Sequence, residues 1–170
     1  GMSVACTESC WTNPRTGHAL WSRVWEPPTI HQEMVILHGF GEHGGRYDAL
    51  AQRFASHDIR VTCTDAWGHG RSGGLRGDVE RFDRYVEDIE AVLTAGGLVR
   101  AQRLHLFGHS FGGLLAVFLS RRLRERWASL TLQSPLFKLG FTVPKWKEQL
   151  GRLAARIAPR LILSNEVEPR

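Results

Sequence analysis

The sequence predicts an α/β fold in which a mostly parallel sheet carries helices on both faces. Three observations support this prediction. Short apolar runs that are typical of buried strands alternate along the chain with segments whose apolar residues recur at helical spacing, and glycine-rich turns separate the two kinds of segment. The length of 170 residues suits one domain with a substantial core.

The strands of this sheet are predicted from runs of apolar residues. Residues 34–37, Met-Val-Ile-Leu, form a continuous run, as expected for a strand that is buried on both faces. An earlier strand ends before Pro27-Pro28, because proline has no N–H to donate to a neighbouring strand. The predicted strands are 19–24, 34–37, 59–63, 104–107 and 130–132.

Three segments between these strands have the apolar spacing of amphipathic helices. They are residues 47–54, 82–92 and 113–124. Asp78 is placed to cap the second helix, and Gly96-Gly97 to end it.

The pattern changes after Pro135, because residues 136–159 are helical in period throughout. One face of this segment is apolar. It carries Trp146, Leu150, Leu153 and Ile157. We therefore expect two units: residues 1–136, which contain the sheet, and residues 137–170, which are a separate helical segment.

The net charge of +5 permits attraction to anionic surfaces, and the densest basic run is residues 121–126. That run is either an anion-binding patch or the solvated last turn of a helix, where cations complement the helix dipole. The sequence has no known nucleic-acid-binding module and no aromatic residues interleaved with this run, which favours the helix end. No nucleic-acid partner is therefore expected.

The sequence contains no apolar window long enough to span a membrane, and it does not start with a charged segment followed by an apolar one. Its three cysteines, Cys6, Cys10 and Cys63, are an odd number without metal-ligand spacing. These features predict a cytoplasmic protein that has no disulfide framework and no metal site.

Ser110 lies in Gly108-His109-Ser110-Phe111-Gly112, directly between a predicted strand and a predicted helix. A Gly-x-Ser-x-Gly sequence in that position turns sharply and holds a serine hydroxyl beside a base, which predicts Ser110 as a catalytic nucleophile. A second match surrounds Ser72. The preceding strand ends at Asp65, seven residues before Ser72, and no helix begins after Ser72. Ser72 is therefore predicted to be a loop residue.

The first glycine loop, residues 39–45, permits two interpretations. It matches the Gly-x-Gly-x-x-Gly fingerprint of dinucleotide-binding proteins, and Asp65 ends the next strand at about the expected spacing. Glu42, however, would place a negative charge where a pyrophosphate must bind. In the alternative, the loop supplies the amide of Phe40 to a developing oxyanion, and the amide of Phe111 is the second donor.

Three blocks of the sequence resemble the α/β-hydrolases, and more closely the monoacylglycerol lipase and lysophospholipase group. They are residues 38–47 (HGFGEHGGRY), 65–74 (DAWGHGRSGG) and 108–113 (GHSFGG), and Ser134-Pro135 also falls where that family has it. The resemblance covers about residues 20–136.

This resemblance implies a serine hydrolase that cleaves lipid-like carboxylic esters without a metal or organic cofactor. Ser110 is then the nucleophile, and the amides of Phe40 and Phe111 are the oxyanion donors. The resemblance also implies that residues 137–170 begin a helical cap over the site. The apolar stripe of that segment would contact a membrane surface, line an acyl tunnel or simply pack on the core, and the sequence leaves these alternatives open.

The resemblance is incomplete, because no histidine and no aspartate follows Ser110, where the family places its catalytic acid and then its histidine. Upstream, His38, His43 and His69 are expected to hold loops through their ring nitrogens, and His105 to lie in the core.

We therefore expect the chain to be the N-terminal portion of a hydrolase, inactive alone, with Asp and His supplied by a C-terminal fragment or a second chain. One alternative is a pseudoenzyme that acts as a binding module. A dinucleotide-binding oxidoreductase is the less favoured alternative.

Overall fold

The computed structural model describes residues 3–76 and 81–136 of the chain. These residues belong to the first of two units into which the chain divides, Gly1–Phe137. The predicted cap, residues 137–170, lies outside the described residues and stays a prediction.

The described residues form a six-stranded mixed sheet with the strand order β1-β2-β4-β3-β5-β6. The strands are β1 (Cys6–Thr12), β2 (Ala19–Trp25), β3 (Gln32–Leu37), β4 (Ile59–Thr64), β5 (Leu104–His109) and β6 (Trp127–Gln133). The pairs β1–β2 and β2–β4 are antiparallel, whereas β4, β3, β5 and β6 run parallel. The predicted strands are confirmed, each slightly longer than expected. β1 escapes sequence prediction because it has no apolar run and lies exposed at the sheet edge.

Three α-helices of the described residues connect the parallel strands: α1 (Asp48–Ala55), α2 (Phe82–Ala95) and α3 (Phe111–Arg122). Alternate residues of β3 point to opposite faces of the sheet. Val35 belongs to the core beneath α2 and α3, and Ile36 to the core beneath α1, so helices cover both faces as predicted. The cap residue of α2 is Arg81, which corrects the assignment of that role to Asp78; Gly96 ends the helix as expected. None of the helices in the described part is long and apolar enough to span a membrane.

The basic run lies where α3 ends. Arg121 and Arg122 form the last turn of the helix, as predicted, and Arg122 Nε lies 2.8 Å from Glu90 Oε2. Arg124 and Arg126 are exposed in the turn before β6. Because α3 begins beside Ser110, this arginine-rich turn (residues 121–126) lies at the far end of a helix that is about 18 Å long.

Asp65 is a fully buried carboxylate that joins three segments of the chain. Its Oδ1 accepts hydrogen bonds from Arg23 Nη1 of β2 (2.8 Å) and from the amide of Gly44 in the first glycine loop (2.6 Å). Its Oδ2 accepts from the amide of Arg71, six residues further along (2.9 Å). The loops after β3 and β4 are therefore held to β2 by one charged group.

Replacing Asp65 with asparagine should lower the free energy of unfolding by about 3–5 kcal/mol, since the buried Arg23 would keep only the exposed Glu8 as a counter-charge. Urea titration followed by tryptophan fluorescence measures this loss. Glu26→Ala is the matched control, because it breaks an exposed ion pair with Arg60 and should cost less than about 1 kcal/mol. Equal losses in the two variants would contradict the role given to Asp65.

Candidate active site

Ser110 occupies the tight turn between β5 and α3. Its backbone has φ 52° and ψ −117°, which residues with a side chain rarely adopt. Its amide donates to the Gln133 carbonyl (3.0 Å), and its carbonyl accepts from the amides of Gly113 (2.9 Å) and Leu136 (3.0 Å). These bonds offset a local strain of about 1–3 kcal/mol. They hold a half-buried serine at the carboxyl end of β5.

Two glycines allow this turn to form against the neighbouring strand. A Cβ on Gly112 would overlap the backbone carbonyl of Leu37, and a Cβ on Gly108 would overlap the carbonyl of Gly112. β3 pairs with β5 in a register that sets Leu37 opposite Gly108. The start of α3 therefore lies directly on the end of β3, and both glycines of the motif are required by space.

The first glycine loop is held in shape by Glu42. Glu42 Oε2 accepts hydrogen bonds from the amide of Gly39 and from the Tyr47 hydroxyl, both at 2.9 Å. Burial opposes ionisation of this carboxyl, but the two hydrogen bonds and the nearby His109 and Arg46 hold its pKa below the ordinary value. Glu42 is therefore an ionised group inside the loop, with its charge turned toward the protein's own donors.

His38 joins the loop after β3 to the loop after β4. Its Nε2 accepts the amide of Ala66 (2.9 Å), so its Nδ1 carries the proton and donates to the Gly39 carbonyl (2.8 Å). Burial lowers the pKa of His38, which keeps the ring neutral. The prediction that His38 holds loops is confirmed.

The structure brings Ser110, Phe40 and Phe111 together. The rings of Phe40 and Phe111 meet edge to face with centroids 5.9 Å apart, and His109 Cδ2 is 3.3 Å from where a Cβ of Gly39 would be. As the first residue of α3, Phe111 has no intrahelical acceptor for its amide. Among the described residues, the Phe40 amide has no acceptor either. The assignment of both amides as oxyanion donors remains a prediction.

Two alternative assignments fit the structure less well: Ser72 as the nucleophile, and the first glycine loop as a dinucleotide-binding site. The Ser72 hydroxyl donates to the Asp65 carbonyl (2.5 Å) and accepts the Trp21 amide (2.8 Å), so Ser72 is a loop residue as predicted. A dinucleotide would need free amides in the first glycine loop, but Glu42 takes the Gly39 amide and Asp65 takes that of Gly44.

Two histidines differ from expectation. His105 is not in the core: it is half-buried, with ring nitrogens 2.7 Å from Ser129 Oγ and 2.7 Å from Gln32 Oε1, because its side of β5 faces polar neighbours. His18 carries no signal in the sequence, yet it is buried, with Nδ1 2.7 Å from Asp88 Oδ2 and its ring stacked on Trp67. These partners lie 70 residues apart along the chain, which hides the pair from local pattern analysis.

Glu42 and Tyr47 are the site residues that the sequence did not identify as such. Glu42 is three residues after Gly39, the spacing at which a carboxylate reaches back to a turn amide, and that spacing is the signal that could have found it. No group of three or more His, Cys, Asp or Glu residues that could hold a metal ion occurs within residues 3–76 and 81–136.

The sheet order, the helices on both faces and the strained serine between β5 and α3 define the α/β-hydrolase fold. The fold class predicted from the sequence is confirmed.

Within that fold class, the chain belongs to the hydrolase family described as Serine aminopeptidase, S33, whose model matches residues 28–170. The chain is 31% identical over 145 residues to the monoacylglycerol lipase of Mycolicibacterium smegmatis, covering 84% of this chain and 51% of that one. It is 33% identical over 143 residues to the monoglyceride lipase of Rattus norvegicus, covering 83% and 46% respectively.

The fold also matches the crystal structure of a monoacylglycerol lipase from Paleococcus ferrophilus. The TM-score is 0.68 at 28% identity, and the match covers 88% of this chain and 56% of that one. The resemblance to the monoacylglycerol lipase group is thereby confirmed. The chain spans about half the length of these relatives.

The His38 ring should remain neutral and protonated at Nδ1 at pH 7, with a pKa below the ordinary value of about 6.5. Long-range nitrogen–proton NMR of the imidazole measures both properties, and His38→Gln assigns the signal. Since the unfolded chain takes up this proton first, the stabilisation is fully present above about pH 6.5 and is lost as the pH falls toward the folded pKa. A ring that titrates at or above its ordinary pKa would contradict this account.

Proposed function

We propose that this chain carries the nucleophile of a serine hydrolase that cleaves carboxylic esters of lipid-like substrates, of monoacylglycerol or lysophospholipid type. The observation that carries the proposal is the backbone of Ser110, held in a strained turn against the first glycine loop. The named activities of the similar lipases support the substrate class.

In the proposed reaction, a base removes the proton of the Ser110 hydroxyl as its oxygen attacks the ester carbonyl carbon. The resulting oxyanion accepts hydrogen bonds from the amides of Phe40 and Phe111. The base then protonates the departing alcohol, which leaves an acyl group on Ser110. Water, activated by the same base, releases the carboxylic acid and restores the serine.

The proposed stabilisation of the oxyanion by the two amides depends on the hydrogen bonds that neighbouring backbone groups make. An oxyanion donor is worth about 3–4 kcal/mol in the transition state when it is held in place before the reaction. Glu42 occupies the Gly39 amide and His38 occupies the Gly39 carbonyl, so the peptide groups before Phe40 are fixed on both sides. Glu42 and His38 are accordingly positioning residues, which act through the loop.

In this proposal the base comes from outside this chain. Both ring nitrogens of His38 are engaged. His69 donates Nδ1 to the Trp67 carbonyl, and its Nε2 is buried out of reach of a substrate. His109 turns its ring against Gly39, and its Nδ1 is buried. A C-terminal fragment or second chain would therefore supply Asp and His, and this chain alone would be inactive.

The exposure of β6 supports the proposal that a further segment of protein packs beside this strand. Most residues of β6 are exposed although the strand is paired on one side, and Leu130 has 41% of its surface exposed. An edge strand of this kind has unpaired backbone groups along its free side. Polypeptide packed there would also lie beside Gln133, which accepts the Ser110 amide.

An ester is favoured over an aminopeptidase substrate, although the family description names a serine aminopeptidase. An aminopeptidase needs a free carboxylate to bind the α-ammonium group of its substrate. Within residues 38–47 and 65–76, the two carboxylates nearest the ends of β3 and β4 are already occupied: Glu42 by Gly39 and Tyr47, and Asp65 by Arg23, Gly44 and Arg71.

Ester hydrolysis by the wild-type chain should rise on the order of 100-fold when free imidazole is added, because imidazole replaces the missing base. The release of nitrophenol from a nitrophenyl alkanoate measures it, and Ser110→Ala corrects for hydrolysis by imidazole itself. Ser120→Ala, on the same helix, is the matched control and should respond as the wild type does. A fluorophosphonate probe should then label the wild type and Ser120→Ala only. Labelling that persists in Ser110→Ala, or the absence of any rescue, would contradict the proposal.

With imidazole present, a nitrophenyl alkanoate should be cleaved at least about 100-fold faster than an aminoacyl nitrophenyl ester, which has the same leaving group and a free α-ammonium group. The reason is that Glu42 and Asp65, the carboxylates described in these loops, are both occupied and do not receive the ammonium group. Paired kcat/KM values measure the preference. A preference for the aminoacyl ester would indicate that the site recognises an α-ammonium group, as an aminopeptidase does.

A further inference from the structure

β1 is an edge strand that lacks the features by which edge strands usually avoid pairing with another chain. Among the described strands it pairs with β2 alone, and all of its residues except Trp11 are exposed. Lysine, proline or a bulge normally protects such an edge. β1 contains no lysine and no proline, and its register with β2 is unbroken from Cys6 to Thr12. The edge is therefore open to a further strand.

The backbone groups on the free side of β1 belong to its even-numbered residues. The Asn13 amide donates to the His18 carbonyl (2.9 Å), a pair that continues the antiparallel register of β1 and β2. Successive residues of an antiparallel strand direct their N–H and C=O groups to opposite sides, so the odd-numbered residues of β1 bond to β2. The even-numbered residues present theirs to a second strand; they are Cys6, Glu8, Cys10 and Thr12.

The sequence of β1 is nearly symmetrical about Glu8. Residues 6–10 are Cys-Thr-Glu-Ser-Cys, so thiol, hydroxyl, carboxylate, hydroxyl and thiol follow one another in either direction. If two copies of β1 pair antiparallel with Glu8 opposite Glu8, Cys6 faces Cys10 of the second copy and Thr7 faces Ser9. Paired hydroxyl side chains stabilise antiparallel sheets. Hydrogen-bonded residues on opposite strands have Cα atoms about 5.5 Å apart, which suits a disulfide.

The two Glu8 carboxylates do not oppose this pairing as free charges. Glu8 Oε1 lies 3.0 Å from Arg23 Nε, and Glu8 Oε2 accepts a hydrogen bond from Arg71 Nη1 (2.9 Å). Like charges directly opposite one another destabilise a sheet, but here each carboxylate is paired with two guanidinium groups of its own chain. Arg23 is the residue opposite Glu8 in β2, so the carboxylate is drawn away from the second copy.

We propose that a second copy of this chain binds at β1, with the two strands antiparallel about Glu8, and that oxidation joins the copies through two disulfides between Cys6 and Cys10. About six backbone hydrogen bonds form between the strands. An interface of this small size gives a reversible dimer while the thiols are reduced. The inference does not depend on the role of Ser110, because β5 is four strands away from β1, a distance of about 19 Å.

Each disulfide forms by exchange with a small-molecule disulfide, such as oxidised glutathione. One cysteine thiolate attacks a sulfur of the glutathione disulfide and releases a glutathione thiolate, and the facing thiolate of the other copy then attacks the mixed disulfide and releases the second. Two cysteine thiols are oxidised, one glutathione disulfide is reduced to two thiols, and the cysteine protons pass to the released thiolates. Cys63 takes no part, because it is fully buried.

Two variants that each retain one of the β1 cysteines test the register. Cys6→Ser keeps Cys10, and Cys10→Ser keeps Cys6. With oxidised glutathione, an equimolar mixture of the two should form at least about tenfold more covalent dimer than either variant alone, since every mixed dimer places Cys6 opposite Cys10. Nonreducing electrophoresis measures the yield, and mass spectrometry identifies the linked peptides. Burial and the Glu8 carboxylate raise the pKa of the Cys6 thiol, so the exchange is run at about pH 8.5.

Sedimentation velocity tests the reduced dimer. Cys10→Pro removes an N–H from the free side of β1, a position where an edge strand tolerates proline, and should weaken the dimer at least about tenfold. Cys10→Ser is the matched control: it lacks the same thiol but keeps the N–H, and it should dimerise as the wild type does. Ser110→Ala should also dimerise as the wild type does.

Three outcomes would overturn the inference. The first is equal cross-linking in the mixture and in the separate variants. The second is a set of linked peptides from the wild type that joins Cys6 to Cys6 or Cys10 to Cys10. The third is a reduced wild type that stays monomeric as its concentration rises, which would make β1 an edge that no second copy uses.

Discussion

The buried charge of Asp65 is the interaction on which the loops around Ser110 depend. One carboxylate accepts hydrogen bonds from Arg23 of β2, from Gly44 in the loop after β3 and from Arg71 in the loop after β4. Arg23 in turn lies 3.0 Å from Glu8 of β1 through its Nε, so the antiparallel edge of the sheet joins the same network. A buried ion pair is costly unless every partner is present. The network therefore forces the three segments into one arrangement.

Hydrogen bonds in the loops also determine which backbone amides remain free for chemistry. Glu42 takes the amide of Gly39, Asp65 takes that of Gly44, and Gln133 takes that of Ser110. The amides of Phe40 and Phe111 have no such partner among the described residues. The protein itself thus satisfies several of the donors that would compete with these two amides. In the proposed reaction, Asp65 and Glu42 would therefore act through the loops, without any contact with substrate.

The sequence predicts the parts of the fold whose causes are local. The apolar runs of β2 to β6, the helical spacing of α1 to α3 and the glycines around Ser110 are each visible within a short window, and the structure contains them all. The parts that escape prediction depend on distant partners. β1 is a strand because it pairs with β2, and its exposed sequence gives no sign of it. His18 is buried because Asp88 and Trp67 meet it from other elements.

The same limit applies to the site. The roles proposed for Ser110, Phe40 and Phe111 could be predicted from motifs, because those motifs encode a backbone shape. The interactions of Glu42 and His38 cannot be predicted from motifs, since they depend on where the loops after β3 and β4 come together. The arginine-rich turn and the serine lie at opposite ends of α3. A negatively charged surface that attracts the arginines would therefore hold the protein with Ser110 pointing away, so adsorption through this turn would work against the proposed reaction at such a surface.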